Sequence, residues 1–347
     1  MNSLDYAPKN PRAFQGFVEG VRKLNAYLES NIGAQLSEAE QFLSQAIDSD
    51  PDFLPAQYYK SIVLTHERKS DDAIRLLEGL LIRKPPFQTE ILYNLAFAYA
   101  KKYKYDSLTK SIELVAQALH EAKAHRRTDL ILLLSAIRAW IFAVFAGRPY
   151  GHPENFDQRK REYLPQAIET ADSVLKDRRL PELPTDTQAA ITVEAHNAAG
   201  IAFMRLGQFS SLFPKEKNSA WQLALQHYVA ALSVHPHDVR VLDNISSLRL
   251  LQASKAARDG QMGDVQKFAS EARDRALEAI SFNPSDQFRH YRSAQAEYLL
   301  GNLNAVHEAA QKALDQHGEV GEQKIRPLLE AQSTKDLSLV LDQNLTD

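Results

Sequence analysis

The chain has 347 residues, of which 44% are apolar and 24% are charged, and its formal net charge is −3. This composition is typical of a soluble folded protein, and so small a charge gives no reason by itself to expect a polyanionic partner. The sequence contains no cysteine, which excludes disulfides, thiolate metal sites and cysteine nucleophiles and favours a reducing compartment such as the cytoplasm.

The N-terminal stretch MNSLDYAPKNPRAF has no apolar segment behind a basic start. It therefore predicts no secretory signal. Residues 12–30 continue as one long helical pattern. We interpret this segment as a helix that caps one end of the fold.

A short pattern then recurs: a small residue, a bulky residue four positions later, a small residue three later, and a proline five later. Its intact copies are Ala39, Leu43, Ala46, Pro51; Ala73, Leu77, Leu80, Pro85; Ala224, Tyr228, Ala231, Pro236; and Ala272, Ala276, Ala279, Pro284. Copies without the proline are Ser111, Val115, Ala118; Ala167, Ala171, Val174; and Val306, Ala310, Ala313. Pro51 and Pro85 are 34 residues apart, and a fixed spacing in this range is typical of repeat arrays.

A second helical pattern precedes these copies. In residues 193–207, for example, Ala199, Gly200 and Phe203 share one helical face, and Gly207 predicts the end of that helix. The repeating unit is therefore predicted to be two antiparallel helices, ended by a proline that cannot continue the second helix.

Residues 130–146, LILLLSAIRAWIFAVFA, are apolar enough to be compared with a membrane span. The stretch is 17 residues long and carries Arg138 near its middle, and both features count against a span. We predict a helix buried between neighbouring helices and no membrane contact, with a span as the alternative.

The small–bulky–small–proline pattern resembles the tetratricopeptide repeat (TPR) family, whose units are helical hairpins with small residues at set positions. The resemblance covers roughly residues 15–318 and about seven degenerate repeats. It implies an all-α, right-handed α-solenoid of stacked antiparallel hairpins, a TPR-like superhelix. Because one hairpin cannot bury both of its faces alone, neighbouring units must stack to be stable.

On this basis we divide the chain into a TPR-like solenoid, residues 1–321, and a C-terminal capping helix and tail, residues 322–347. Long insertions are expected near residues 147–163, 208–219 and 254–267, where the repeat spacing is broken.

Catalytic and cofactor motifs are missing from the sequence: it has no Gly-rich phosphate loop and no G-x-S-x-G nucleophile motif. His120 and His125 are five residues apart, about 140° around a helix, so their rings cannot share a metal ion. His235 and His237 in a turn lack a third ligand nearby. We predict no enzyme activity, no metal and no cofactor.

The resemblance also implies where a ligand binds, because the first helix of each TPR hairpin lines the concave face of the solenoid. The side chains predicted to form a peptide-binding groove are Tyr58, Ile62, Tyr93, Asn94, Phe97, Asn197, Asp243, Asn244, Tyr291 and Arg292. Aromatic, amide and guanidinium groups of this kind dominate protein interfaces. The expected function is a scaffold or adaptor that binds a peptide or protein segment.

Some TPR proteins hold the C-terminal carboxylate of a chaperone with a set of lysine, asparagine and arginine side chains. Asn244 and Arg292 match two positions of that set, whereas Asn197, Ile201 and Phe288 occupy the others. Each missing charged hydrogen bond is worth about 1.5–3 kcal/mol. Chaperone-tail binding is therefore disfavoured.

Two alternatives remain. Residues 101–180 contain fifteen Lys or Arg and ten acidic residues, with basic runs at 101–104, 125–127, 158–161 and 176–179. If these runs converge on one face, the protein could bind nucleic acid through phosphate contacts. The other alternative is a regulatory subunit of an enzyme encoded elsewhere.

Overall fold

The structure is a computed structural model, and it describes residues 8–30, 32–102, 104–147, 155–213, 219–316, 320 and 322–334. Within these residues the chain forms fifteen α-helices and no strand. They are α1 Pro11–Ser30, α2 Gly33–Ser49, α3 Leu54–His66, α4 Ser70–Ile82, α5 Gln88–Lys101, α6 Tyr105–Ala124, α7 Thr128–Gly147, α8 Phe156–Leu175, α9 Thr185–Gln208, α10 Ala220–Val234, α11 Val239–Arg258, α12 Met262–Phe282, α13 Gln287–Leu300, α14 Leu303–Asp315 and α15 Glu322–Leu329.

Consecutive helices pair into seven antiparallel hairpins, from α1–α2 to α13–α14, and each hairpin packs against the next. The first helices of neighbouring hairpins also touch directly, most extensively α7 and α9. The short helix α15 packs on α14 through Ile325 and Leu328, both fully buried. The predicted all-α solenoid of stacked hairpins is confirmed.

The recurring skeleton explains why the hairpins stack. All three helical positions of every copy, with or without the proline, are at most 2% exposed. Small side chains at these positions let the helix axes approach to the close end of the usual 8–10 Å range. The helices end two or three residues before the proline position, as at Ser49 before Pro51 and Ile82 before Pro85.

Glycines in the first helices make room for rings of the second helices. A Cβ on Gly200 would lie 2.4 Å from the ring of Tyr228, and one on Gly207 would lie 2.3 Å from the indole of Trp221. Gly207 was predicted to end its helix, and this was wrong, because α9 continues to Gln208. The glycine is required instead by the indole, whose Nε1 donates a hydrogen bond to the Met204 carbonyl at 3.1 Å.

Two of the expected insertions consist largely of helix in the structure. Residues 254–267 lengthen two helices around a short turn, because α11 extends to Arg258 and α12 begins at Met262, and Gly260 turns the chain with a φ of 73°. Residues 156–163 are the first two turns of α8. Parts of the predicted insertions, 148–154 and 214–218, lie outside the described residues, as does the tail from 335 onward.

Helix α7 is long and apolar enough to cross a membrane by length and composition. In this fold, however, 72% of its most apolar window is buried. It packs against α6, α8 and α9. The segment is therefore an interior helix of the solenoid, as predicted from Arg138 and its length.

Candidate binding channel

The solenoid turns far enough for its early and late hairpins to meet. Arg68, in the turn between α3 and α4, donates a hydrogen bond to Asp286 at 3.2 Å. At the start of α2, a Cβ on Gly33 would lie 3.7 Å from Oδ1 of Asn283 and 3.9 Å from Oγ of Ser285. We call these two approaches the ring-closing contact. They convert the concave groove into a central channel.

The central channel encloses a cavity of about 1820 Å³. The first helices of hairpins two to seven, α3, α5, α7, α9, α11 and α13, form most of its wall. All ten residues predicted for the groove lie on this wall. Their positions follow from the helical period, because residues three and four apart on a first helix face the same side.

Four of the ten are at most 7% exposed and are hydrogen-bonded inside the wall. Asn94 donates to the Tyr58 hydroxyl at 2.7 Å, Asn244 donates to Asn197 at 2.8 Å, and Gln295 donates to the Tyr291 hydroxyl at 3.2 Å. Buried polar groups need such partners. Tyr58, Asn94 and Asn197 therefore hold neighbouring helices together, whereas the bond to Tyr291 lies within α13. All four residues offer little free surface to a ligand.

One sector of the channel is aromatic. The Tyr93 and Phe97 rings are stacked with centroids 6.5 Å apart, and Phe97 lies 5.5 Å from Trp140. The Lys101 ammonium lies 5.1 Å from the Phe97 ring and 5.6 Å from the Trp140 ring. Tyr93 and Phe97 are half-buried. This sector can take apolar side chains beside a cation.

Another part of the wall is charged and largely neutralised by its own ion pairs. Arg240 pairs with Glu194 and, at 2.8 Å, with Asp238, while 43% of its side chain stays exposed to the channel. Burial opposes the charge on Arg240, but Asp238 and Glu194 outweigh it and hold its pKa well above the usual value. Such pairs satisfy the guanidinium before any ligand arrives.

A second charged cluster lies on α11 and α13. Arg289 contacts Asp243 at 3.2 Å and Asp286 at 3.7 Å, which links the cluster to the ring-closing contact. Burial raises the pKa of the Asp243 carboxyl, although Arg289 and Arg292 act against the shift. Arg292 donates to the Asp243 carbonyl and stacks 4.1 Å from the Phe288 ring. Burial lowers the pKa of Arg292 to about 10, so it stays charged at neutral pH.

Several wall residues were not predicted. Trp140 was missed because α7 is the poorest match to the repeat, so its concave face could not be assigned. Arg240 and Arg289 lie near the N-terminal ends of their helices, where the pattern gives no small-residue signal. His66 was also missed, and burial lowers its pKa to about 3, so its ring is neutral at physiological pH.

The four basic runs do not converge. Lys101 lies in the central channel, whereas Lys102 pairs with Asp71. Arg159 and Lys160 are at most 7% exposed, and the Lys160 ammonium lies 3.6 Å from the Phe156 ring. Runs 125–127 and 176–179 do not line the channel and are partly neutralised by acidic neighbours, for example Arg127 by Asp129 and Arg179 by Asp177.

The chain is similar to several solved structures, at low sequence identity and with low TM-scores. No family model matches the chain, and no curated protein matches it in sequence. The TPR2AB domain of yeast Sti1 in a complex with pHSP90 is 17% identical, with 91% of this chain and 96% of that chain covered and a TM-score of 0.28. The TPR domain of P58(IPK) is 16% identical, with 92% and 96% covered and a TM-score of 0.26. A monomeric mutant of IFIT1 with Gppp-AAAA is 15% identical, with 89% and 71% covered and a TM-score of 0.40.

The chain has a TPR-like repeat fold. This assignment of the fold rests on the seven stacked hairpins and their buried small residues. It does not rest on the compared structures, because their TM-scores are low. The TPR-like architecture places the first helix of each hairpin on the channel, and so explains why residues far apart in sequence form one wall.

Proposed function

We propose that this TPR-like protein is a non-catalytic scaffold that holds a segment of a partner protein in the central channel. The observation that carries the proposal is the size and lining of the cavity. At about 1820 Å³ it exceeds the 300–1,000 Å³ that small-molecule sites usually occupy. A cavity of this volume fits a segment of a polymer better than it fits a single metabolite.

The chemistry of the wall favours a polypeptide. Eight Lys or Arg and six Asp or Glu side chains line the channel, so the wall is nearly balanced and most charges are paired. A polyanion would gain little from this wall, because its affinity depends on releasing counterions through unpaired cations. The half-buried rings of Tyr93 and Phe97 give a partner's apolar side chains the contacts that dominate interface energetics.

A peptide-display selection against the whole protein tests the proposal. Peptides that bind should lose about tenfold or more in affinity when Tyr93 and Phe97 are both changed to Ala, because hot-spot residues cost 2 kcal/mol or more. The matched control changes Val229 and Leu277 to Ala. These two side chains are 55% and 48% exposed on α10 and α12. Those positions are absent from the channel wall, so binding should be unchanged.

Two results would contradict the proposal. One is a selected peptide whose affinity is the same in the Tyr93→Ala, Phe97→Ala variant. The other is failure to select any peptide together with tight binding of RNA that weakens steeply between low and moderate salt, which is typical of phosphate contacts.

A further inference from the structure

A second cavity lies between α6, α7 and α8, and it shares no lining residue with the central channel. Its volume is about 440 Å³, within the range of small-ligand sites. Lys123, Arg138 and Arg179 bring three cations to its lining, and Glu169 and Asp177 bring two carboxylates. We call it the α6–α8 cavity.

Arg138 is the unusual member of this lining, because it lies in the most apolar helix of the chain. Its Nε is buried and has no hydrogen-bond partner. Its guanidinium carbon lies 5.6 Å from the ring of Phe142, and within the described part of the chain it forms no ion pair. The side chain as a whole is only half-buried, so its charge is not sealed inside the protein. The protein therefore keeps an unneutralised cation at this cavity.

Arg249 on α11 shows how the same fold neutralises such a residue. It too has a buried Nε without a partner and lies over an aromatic ring, with its guanidinium carbon 5.4 Å from Phe268. Arg249, however, contacts Glu271 of the next helix at 2.6 Å and donates to Gln252 at 2.7 Å. Glu169, on the helix that follows α7, lines the α6–α8 cavity but is not bonded to Arg138.

Of the other two cations at the cavity, one is paired with a carboxylate and one is not. Asp177 neutralises Arg179, to which it is joined by bonds of 2.7 and 3.0 Å, and Arg179 lowers the pKa of Asp177 to about 2. Lys123 forms no ion pair with any residue that the structure describes. Two cations, Arg138 and Lys123, are thus left for a ligand, and the hydroxyls of Thr170 and Ser173 add hydrogen-bond donors at the lining.

We propose that the α6–α8 cavity binds a phosphate group, either free or carried by a small molecule. A phosphate carries up to two negative charges and several acceptor oxygens, which match two free cations and neighbouring hydroxyls. A guanidinium binds phosphate through two parallel hydrogen bonds, and an ammonium binds it as a point charge. The Glu169 carboxylate at the same lining repels the phosphate and limits its affinity.

Calorimetric titration of the full chain with inorganic phosphate and with glycerol 3-phosphate, at constant ionic strength, tests this site. Arg138→Leu should weaken binding about tenfold or more, since a charged hydrogen bond is worth about 1.5–3 kcal/mol. Lys123→Gln should weaken it less, because an exposed lysine is already well solvated. Glu169→Gln should strengthen it. Tighter binding of glycerol 3-phosphate than of phosphate would identify a phosphorylated small molecule as the ligand.

Arg249→Leu is the matched control, because it removes a similar arginine that already has a carboxylate partner. It should leave phosphate affinity unchanged. The proposal is wrong if the wild type binds neither probe at millimolar concentration, or if Arg138→Leu binds as tightly as the wild type. It is also wrong if Arg249→Leu and Arg138→Leu lose affinity equally, since binding would then reflect total charge. Lys123→Gln keeps the test decisive if Arg138→Leu does not fold.

Discussion

The Arg68 guanidinium lies 3.2 Å from the Asp286 carboxylate, although 218 positions separate the two residues in the chain. The contact joins the second hairpin to the turn before the seventh and is continued by Arg289 and Asp243. An exposed ion pair of this kind contributes at most about 1 kcal/mol. Closure of the channel therefore depends on how the hairpins stack, and the ion pair reports that geometry more than it creates it.

Because the early and late hairpins meet, we predict that an engineered disulfide can join them. The natural chain has no cysteine that would interfere. The double variant Gly33→Cys, Ser285→Cys should cross-link under mild oxidation, because a Cβ at residue 33 would lie 3.9 Å from the Ser285 side chain. The bond should raise the melting temperature, since it closes a loop of more than 200 residues and such bonds typically add about 2–5 kcal/mol. Non-reducing gels and mass spectrometry measure it.

The control pairs Gly79→Cys with Ser285→Cys, because a Cβ on Gly79 of α4 meets nothing within 4 Å. This pair should stay reduced within the monomer. If neither pair cross-links, the ring-closing contact does not persist in solution.

Packing at Gly200 predicts a large loss of stability for a small change. Gly200→Ala places a Cβ 2.4 Å from the buried Tyr228 ring, and overpacking of this kind costs about 1–3 kcal/mol. Gly79→Ala, also within a helix, meets nothing and should instead stabilise the protein by about 0.5–1 kcal/mol. Denaturant unfolding of both variants measures the contrast. Equal effects would show that Gly200 is not a helix-crossing point.

The Tyr58–Asn94 pair predicts a non-additive double variant. Asn94→Leu leaves the buried Tyr58 hydroxyl without its partner, which costs about 1–3 kcal/mol. Adding Tyr58→Phe removes both polar groups and should recover part of that loss. The unfolding free energies of the single and double variants give the coupling energy between Tyr58 and Asn94. Strict additivity would mean that the hydrogen bond is not formed.

A sequence pattern predicts structure only over the stretch of chain in which its residues lie. The skeleton Ala224, Tyr228 and Ala231 lies within one helix, so its spacing alone predicted a buried face. Ring closure could not be predicted, because the meeting of Gly33 with Ser285 depends on rotations accumulated over several hairpins. The lengthened α11 and α12 were expected only as an insertion of unspecified structure, since the repeat spacing cannot distinguish inserted coil from inserted helix. The bonded state of Asn94 and Asn197 was missed because a small-residue pattern carries no information on hydrogen bonds.

Stability should decline in mild acid because of a histidine pair. His196 and His227 have their Nδ1 atoms 3.0 Å apart. Burial lowers the pKa of both, and His227 lowers that of His196 further, although Asp172 on α8 acts against the shift. The unfolded chain then binds more protons than the folded one below the unfolded pKa of about 6.5. The pair's contribution is complete above that pH and is lost as pH falls.

His227→Phe isolates this pair, because a phenyl ring can keep the stacking on Phe203, whose centroid is 5.5 Å away. The variant should show a shallower loss of unfolding free energy between neutral pH and pH of about 5 than the wild type. The buried His66 acts in the same direction in both proteins and cancels in the difference. An identical pH profile in the two proteins would contradict the assignment.

Photo-cross-linking from inside the channel tests the central claim most directly. A photoreactive phenylalanine analogue replaces Tyr93 on the channel wall and, in a separate protein, Val229 on the exposed face of α10. If a partner segment occupies the channel, irradiation in a native extract should join one protein to position 93 and leave position 229 without it. Labelling of both positions by the same proteins, or of position 93 by nucleic acid alone, would contradict the account.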